Sequence, residues 1–291
     1  MTRLLQSLEE ILDAFDIAVL DQWGVLHNGS TPYPHAAAAM EILRKHGKEI
    51  IILSNSGKRA APNRQRIQNI GLPVEAISQV VTSGEALWED LHQGRLTIQG
   101  GAPKKIYPIC AHKQDPIDWA DGGRLEIVDV LEKSTEMIML MGLLDGSPPE
   151  VCDPLFHRAL QYQTPLVCSN PDKASPRAGG LVVSPGALAE RYEKMGGEVI
   201  WYGKPYAPIY QAVVRSAANV EPRRFLMIGD SLEHDIGGAQ NAGFSSAFIR
   251  GGVHAEDFFN VSSHQQIAQV ITSLAKQKSV GEPDYSLEFF S

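Results

Sequence analysis

The chain has 291 residues, 43% of them hydrophobic and 21% charged, with a formal net charge of −8. That is enough apolar material for one large core or two smaller ones. No basic block offsets the acidity, which excludes a nucleic-acid or anionic-membrane partner while leaving room for a local cationic pocket.

Taken in chain order, Leu4, Leu5, Leu8, Ile11, Leu12 and Phe15 recur at helical spacing and predict an amphipathic helix over 2–16. The acids Glu9, Glu10 and Asp13 between them rule out a signal-peptide core. An apolar run over 17–20 then stops at Asp21. A helix is expected over 34–46, with Pro34 near its start. A second apolar run, 49–53, stops at Ser54-Asn55-Ser56-Gly57, and another helix is expected over 62–69. The stretch 84–198 has candidate strands at 105–110, 136–141 and 165–168 and helices at 85–91 and 153–163, but none of these strands ends in a catalytic group. Beyond it, the run 199–202 ends at Gly203-Lys204-Pro205, a helix is expected over 208–218, and the run 224–228 ends at Gly229-Asp230-Ser231. The segment 281–291, with Tyr285, Phe289 and Phe290, is expected to pack back on the core. The odd count of cysteines (Cys110, Cys152, Cys168), with no C-x-x-C pair, fits buried thiols in a reducing compartment. No apolar run approaches the roughly 18 residues that span a bilayer. A cytoplasmic protein is expected.

Continuous apolar runs of this length suit strands buried on both faces, as in parallel sheets covered by helices. Alternating strand and helix then gives an α/β fold, a Rossmann-like doubly wound parallel sheet built from residues 1–83 and 199–291, with an inserted α/β domain over 84–198. Ligands in such sheets sit beyond the carboxyl ends of the strands, so all four polar endings would share one crevice. Asp21, Asp230 and Asp235 close together would repel unless a hard cation sat among them, and Mg²⁺ prefers oxygen ligands. Lys204 and the Ser54-Asn55-Ser56 turn would hold the oxygens of a phosphoryl group, leaving Asp21 as nucleophile. Lys58 and Arg59 could meet a second anionic group of the substrate. Each residue also has a bland role: an N-cap for Asp230 or Asp235, a surface lysine for Lys204, a solvated helix start for Lys58 and Arg59.

These residues are where the chain resembles the haloacid dehalogenase superfamily of hydrolases. Four motifs occur in order: Asp21 with Gly24-Val25, Ser54-Asn55, Gly203-Lys204-Pro205, and Gly229-Asp230-Ser231 followed by Asp235. The insertion after the second motif, with Ser83-Gly84-Glu85-Ala86, Ser169-Asn170-Pro171-Asp172 and Pro185-Gly186-Ala187-Leu188, resembles the subclass with a large α/β cap, which includes nitrophenyl-phosphate and pyridoxal-phosphate phosphatases. The resemblance implies a Mg²⁺-dependent phosphatase acting on a small phosphorylated substrate. It makes Asp21 nucleophile and metal ligand, adds Asp230, Asp235 and the backbone carbonyl of Trp23 to the metal site, and gives Ser54 and Lys204 the phosphoryl group. Asp172, which ends the second of those segments, and Lys173 and Arg177, which follow it, are specificity candidates.

One position departs from the superfamily's pattern. Its phosphatases usually carry a second aspartate two residues after the nucleophile, where it protonates the leaving group; here that position is Trp23, whose indole cannot do so. Slow or leaving-group-selective turnover is the implied consequence, unless a group such as His27 supplies the proton. Two rivals stay open: a 2-haloacid dehalogenase, which needs no acid, and a catalytically weak sensor of phosphorylated metabolites. The substrate and the choice between monomer and homodimer are open as well.

Overall fold

A computed structural model describes residues 2–121, 124–177, 180–217 and 219–291. The strands in chain order are β1 (Arg3–Leu4), β2 (Ile17–Leu20), β3 (Glu49–Ser54), β4 (Gln79–Thr82), β5 (Lys105–Ile109), β6 (Glu126–Ile127), β7 (Met137–Leu140), β8 (Leu166–Cys168), β9 (Ala174–Arg177), β10 (Gly180–Val183), β11 (Val199–Trp201), β12 (Phe225–Gly229), β13 (Ser245–Ile249) and β14 (Tyr285–Leu287). The chain divides into two compact units. One comprises 1–54, 60–81 and 204–291, and the other 55–59 and 82–203.

The first unit is built on a seven-stranded sheet of order β1-β14-β13-β12-β2-β3-β4. Its registered pairs run parallel, with β2 between β12 and β3. Ile17, Ala18, Val19 and Leu20 are each at most 1% exposed, as a strand covered on both faces requires. Alternation along β13 shows the two layers: Ala247 and Ile249 join the cluster containing Leu20, Met40 and Leu43, while Phe248 joins Leu232, Ile236 and Ile271. Helix Ala36–Lys45 carries the crossover from β2 to β3 and buries Ala36, Ala39, Met40 and Leu43, an i, i+3, i+4, i+7 stripe.

The second unit has a five-stranded sheet, β11-β8-β7-β5-β6, parallel in every pair, and an antiparallel ribbon of β9 and β10. Its core gathers Ile138, Leu140, Phe156, Leu166 and Tyr192. No helix among the described residues is long and apolar enough to cross a membrane.

Two expectations change in detail and a third holds. The segment expected as a helix over 2–16 splits: Arg3–Leu4 is captured as a strand beside Tyr285–Ser286, and a 3₁₀ helix, Leu8–Ala14, starts only after a capping box between Ser7 and Glu10. Its apolar residues still face inward, with Leu5, Leu8, Ile11, Leu12 and Phe15 all buried. The run at 199–202, expected in the same sheet as Asp21, pairs instead with β8 of the second unit, Val199 opposite Leu166. Lys204 follows where the chain returns to the first unit. The segment 281–291 does pack back, contributing β14 and Phe290, which is 2% exposed.

Candidate active site

The β2–β12 pairing continues one step past β2, where the Asp21 amide donates to the Ile228 carbonyl at 3.0 Å. Asp21 and Asp230 therefore leave the sheet at adjacent strand ends, and Ser54 does so from β3 on the other side of β2. After β12 the chain makes a wide π-type turn, Leu232–Gly237, and this brings Asp235 back to the strand end. One Asp235 oxygen accepts the Ser231 amide at 3.0 Å. The other accepts Lys204 Nζ at 2.7 Å, and Lys204 also reaches Asp21 at 2.6 Å. Ligand-type oxygens of Asp21, Asp230 and Asp235 all lie within 4.8 Å of one another.

Two of the three carboxylates share one ammonium in a place nearly closed to water: the side chains of Lys204, Asp21 and Asp235 are 4%, 14% and 0% exposed. Burial raises the Asp21 and Asp230 carboxyls above the usual carboxylate range, and the neighbouring carboxylates add to the shift. For Lys204 burial alone would favour the neutral amine, but Asp21 and Asp235 override it and raise its pKa. The ionised set carries an uncompensated charge of about −2. An oxygen-only donor set with that deficit fits a hard divalent cation.

Asp230 is held from three sides. The Val253 amide donates to its Oδ2 at 2.7 Å, and Gly24 and Gly252 press their α-carbons against the carboxylate, so that a Cβ at either would collide with it. Gly24 also has φ +79°, where other residues are strained. Gly252 and Val253 were not among the residues singled out from sequence. Their signal was a fifth apolar strand, β13, ending in Arg250-Gly251-Gly252.

The Trp23 indole is fixed by its neighbours. It meets the His27 ring edge-on, with centroids 5.6 Å apart. It packs against Gly29, where a Cβ would collide with the indole, and it has the Arg66 guanidinium 5.3 Å from its centroid. His27 is fully buried, and burial, helped by Arg66, lowers its pKa to about 4. Its Nδ1 accepts the Gly29 amide at 3.0 Å, which assigns the proton to Nε2, facing Gln22 Oε1 at 3.4 Å. A neutral imidazole engaged in this way is a poor substitute acid.

Among the other expected substrate-binding residues, Ser54 and Asn55 are buried, and Asn55 donates to Asp172 at 2.8 Å within the second unit. Ser56 accepts the Lys58 amide at 3.3 Å, and the Lys58 side chain is exposed. Arg59 is already engaged: it forms two hydrogen bonds with Glu85, at 2.8 and 2.9 Å, and stacks 3.7 Å from the Trp88 ring centroid. Neutralised by that carboxylate, it is a cross-link of the second unit rather than a free cation. Lys173 pairs with Glu190 at 3.1 Å; the Arg177 side chain lies outside the described residues.

Comparison with known proteins adds a second line of support. The family model described as haloacid dehalogenase-like hydrolase matches residues 18–113, and a second model of the same hydrolase type matches 201–276. The chain is 30% identical to the haloacid dehalogenase-like hydrolase domain-containing protein 2 of Bos taurus, over 82% of this chain and 85% of that one. It is 25% identical to a 4-nitrophenylphosphatase of Schizosaccharomyces pombe, over 97% and 94%. Among solved structures, a haloacid dehalogenase-like hydrolase from Brucella suis 1330 superposes with a TM-score of 0.77 at 29% identity, covering 98% of this chain and 99% of that one.

Proposed function

This chain belongs to the haloacid dehalogenase-like hydrolases, and on that premise we propose that it hydrolyses a small phosphomonoester with Asp21 as nucleophile and Mg²⁺ as cofactor. The observation that carries the reading is the buried cluster of Asp21, Asp230 and Asp235 around a single Lys204. Phosphatase names among the relatives support the same reaction class. The three free thiols support a reducing, cytoplasmic setting.

Asp21, Asp230, Asp235 and the Trp23 carbonyl would hold the metal, which supplies positive charge opposite the phosphoryl oxygens. A carboxylate oxygen of Asp21 attacks phosphorus while the ester P–O bond opposite it breaks, giving an aspartyl-phosphate and a leaving alkoxide. Lys204 orients Asp21 and, once the phosphoryl group arrives, donates to its oxygens together with Ser54. Water then attacks the phosphorus and releases phosphate, restoring Asp21.

The leaving alkoxide needs a proton, and neither Trp23 nor neutral His27 is suited to give it. General acid catalysis is worth roughly 10²–10⁴ in rate, so substrates whose leaving groups are already acidic should turn over best. The test is nitrophenyl phosphate turnover with Mg²⁺, in the wild-type chain and in Asp21→Asn. Turnover should require the metal and fall at least about 10³-fold in the variant. Metal-independent turnover, or an unaffected variant, would refute the proposal; halide release from a 2-haloacid without metal would replace it with dehalogenation.

A further inference from the structure

The loop that holds Asp230 is itself held from elsewhere. β13 and β14 run parallel, and their ladder continues past both strands: the Arg250 amide donates to the Leu287 carbonyl at 3.0 Å and the Gly251 amide to the Glu288 carbonyl at 2.7 Å. Phe289 then lays its ring on Gly251. A Cβ there would collide with the ring and sit 2.7 Å from the Glu288 carbonyl. Two residues later the Val253 amide makes its 2.7 Å bond to Asp230. Glu288 and Phe289 therefore touch one end of a three-residue loop whose other end touches a carboxylate of the cluster.

Phe289 has no evident reason to be placed there for core packing. It is 47% exposed, whereas its neighbour Phe290 is 2% exposed and belongs to the core cluster. Its ring also meets the tilted ring of His35, with centroids 6.4 Å apart. Beside Gly24 and Gly251 lies an apolar cavity of about 180 Å³, also lined by Val25, Tyr33, Phe290 and Phe289 itself. Space of that size, larger than the roughly 150 Å³ cavity that accepts a benzene ring, gives Gly251 no support on that side. At Gly251 the nearest side-chain packing comes from Phe289, while the far side of the loop is tied by the Ala255 amide, which donates to the Gly252 carbonyl at 3.0 Å.

We propose that Glu288 and Phe289 form a positioning element for metal binding, fixing the Gly251–Val253 loop so that the Val253 amide meets Asp230. The proposal rests on the metal-site reading above. Partners that orient a metal ligand without touching the ion typically account for 10- to 100-fold in affinity. Phe289 acts one step further out, through the loop, so the low end applies.

The experiment is calorimetric titration of the full chain with Mg²⁺, alongside thermal unfolding in chelator. Phe289→Ala should weaken Mg²⁺ binding about tenfold and shift the unfolding midpoint by only a few degrees, because the ring is half exposed. Phe289→Tyr should restore the affinity. Phe259→Ala, which removes a ring that is 78% exposed, should leave it unchanged. In activity assays the Mg²⁺ activation constant should rise, while kcat at saturating metal recovers. Hydrogen exchange on the wild-type chain needs no variant: the Val253 amide should be protected, and a freely exchanging amide overturns the proposal. So does Mg²⁺ affinity in Phe289→Ala within twofold of wild type, or an equal loss in Phe259→Ala. A wild-type chain that binds no Mg²⁺ refutes the metal site itself, whereas equal binding by wild type and Phe289→Ala refutes only the positioning role.

Discussion

Replacing Lys204 by Met keeps an apolar stem of similar length and removes the cation that bridges Asp21 and Asp235. Asp21 and Asp235 then lose the cation that pairs with them, beside the third carboxylate, Asp230. Breaking a buried pair by removing one partner costs about 3–5 kcal/mol. The cost has a ceiling, because the site can take up one extra proton in place of the lysine's charge. Protonating a carboxyl with an unfolded pKa of about 3.9 costs about 1.36 kcal/mol per pH unit above that value, or about 4 kcal/mol at pH 7 and about 1.5 kcal/mol at pH 5. The folded variant then binds more protons than the unfolded chain, so its stability falls as pH rises. Thermal unfolding in chelator should show a midpoint roughly 10 °C below wild type at pH 7 and roughly 4 °C below at pH 5. Mg²⁺ should recover part of the loss at pH 7 by binding the native state alone. An equal deficit at both pH values, or none at pH 7, would refute the electrostatic account of Lys204.

Gly24→Ala forces a Cβ into the Asp230 carboxylate at a backbone angle that costs an L-residue about 1–2 kcal/mol; Mg²⁺ affinity, read by calorimetry, should fall more than about tenfold. Trp23→Asp places a carboxyl two residues after Asp21, and it should raise turnover of alkyl phosphates more than that of nitrophenyl phosphate. Equal gains on both would contradict the leaving-group argument. His27 is held neutral, with its pKa lowered to about 4 from the ordinary 6.5. Between those values the unfolded chain binds the extra proton, so the contribution of His27 to stability is present above pH 6.5 and is lost as pH falls toward 4. Urea unfolding should show about 2–3 kcal/mol of this loss by pH 4.5, and His27→Gln should remove that part of the slope. Using the difference between the two chains separates it from Asp21 and Asp230, whose raised pKa values act in the opposite direction.

Much of the fold was legible because buried parallel strands leave a simple trace, an uninterrupted apolar run that stops at a polar turn. The runs that became β2, β3 and β12 landed side by side in one sheet. The run that became β11 carries the same trace yet joins the other sheet, because the pattern reports burial on both faces and says nothing about which strand lies alongside. Helical spacing was read correctly as an inward-facing stripe over residues 4–15, but pairing with Tyr285–Ser286, distant in sequence, drew Arg3–Leu4 into a strand. In the candidate site, Asp21, Lys204, Asp230 and Asp235 stood out by side-chain chemistry. The Val253 amide did not, since a backbone donor has no side-chain signature and its importance comes only from where Gly252 lets it approach Asp230. The sequence leaves Arg59 as either an available cation or a solvated helix start, because its partner, Glu85, comes from the distant helix Ser83–His92.

The position of β12 between β2 and β13 has a consequence for synthesis on the ribosome. β2 emerges early, but its partner along one whole edge is encoded on the order of 200 residues later, which at 5–20 residues per second is roughly 10–40 s. During that interval every residue of the second unit, 55–59 and 82–203, has been made and can fold while the edge of β2 is still unpaired. A nascent chain in this condition exposes an apolar strand edge of the kind that recruits chaperones or aggregates. The yield of folded protein in cells should therefore depend on chaperone supply and translation rate more than the stability of the finished molecule would suggest.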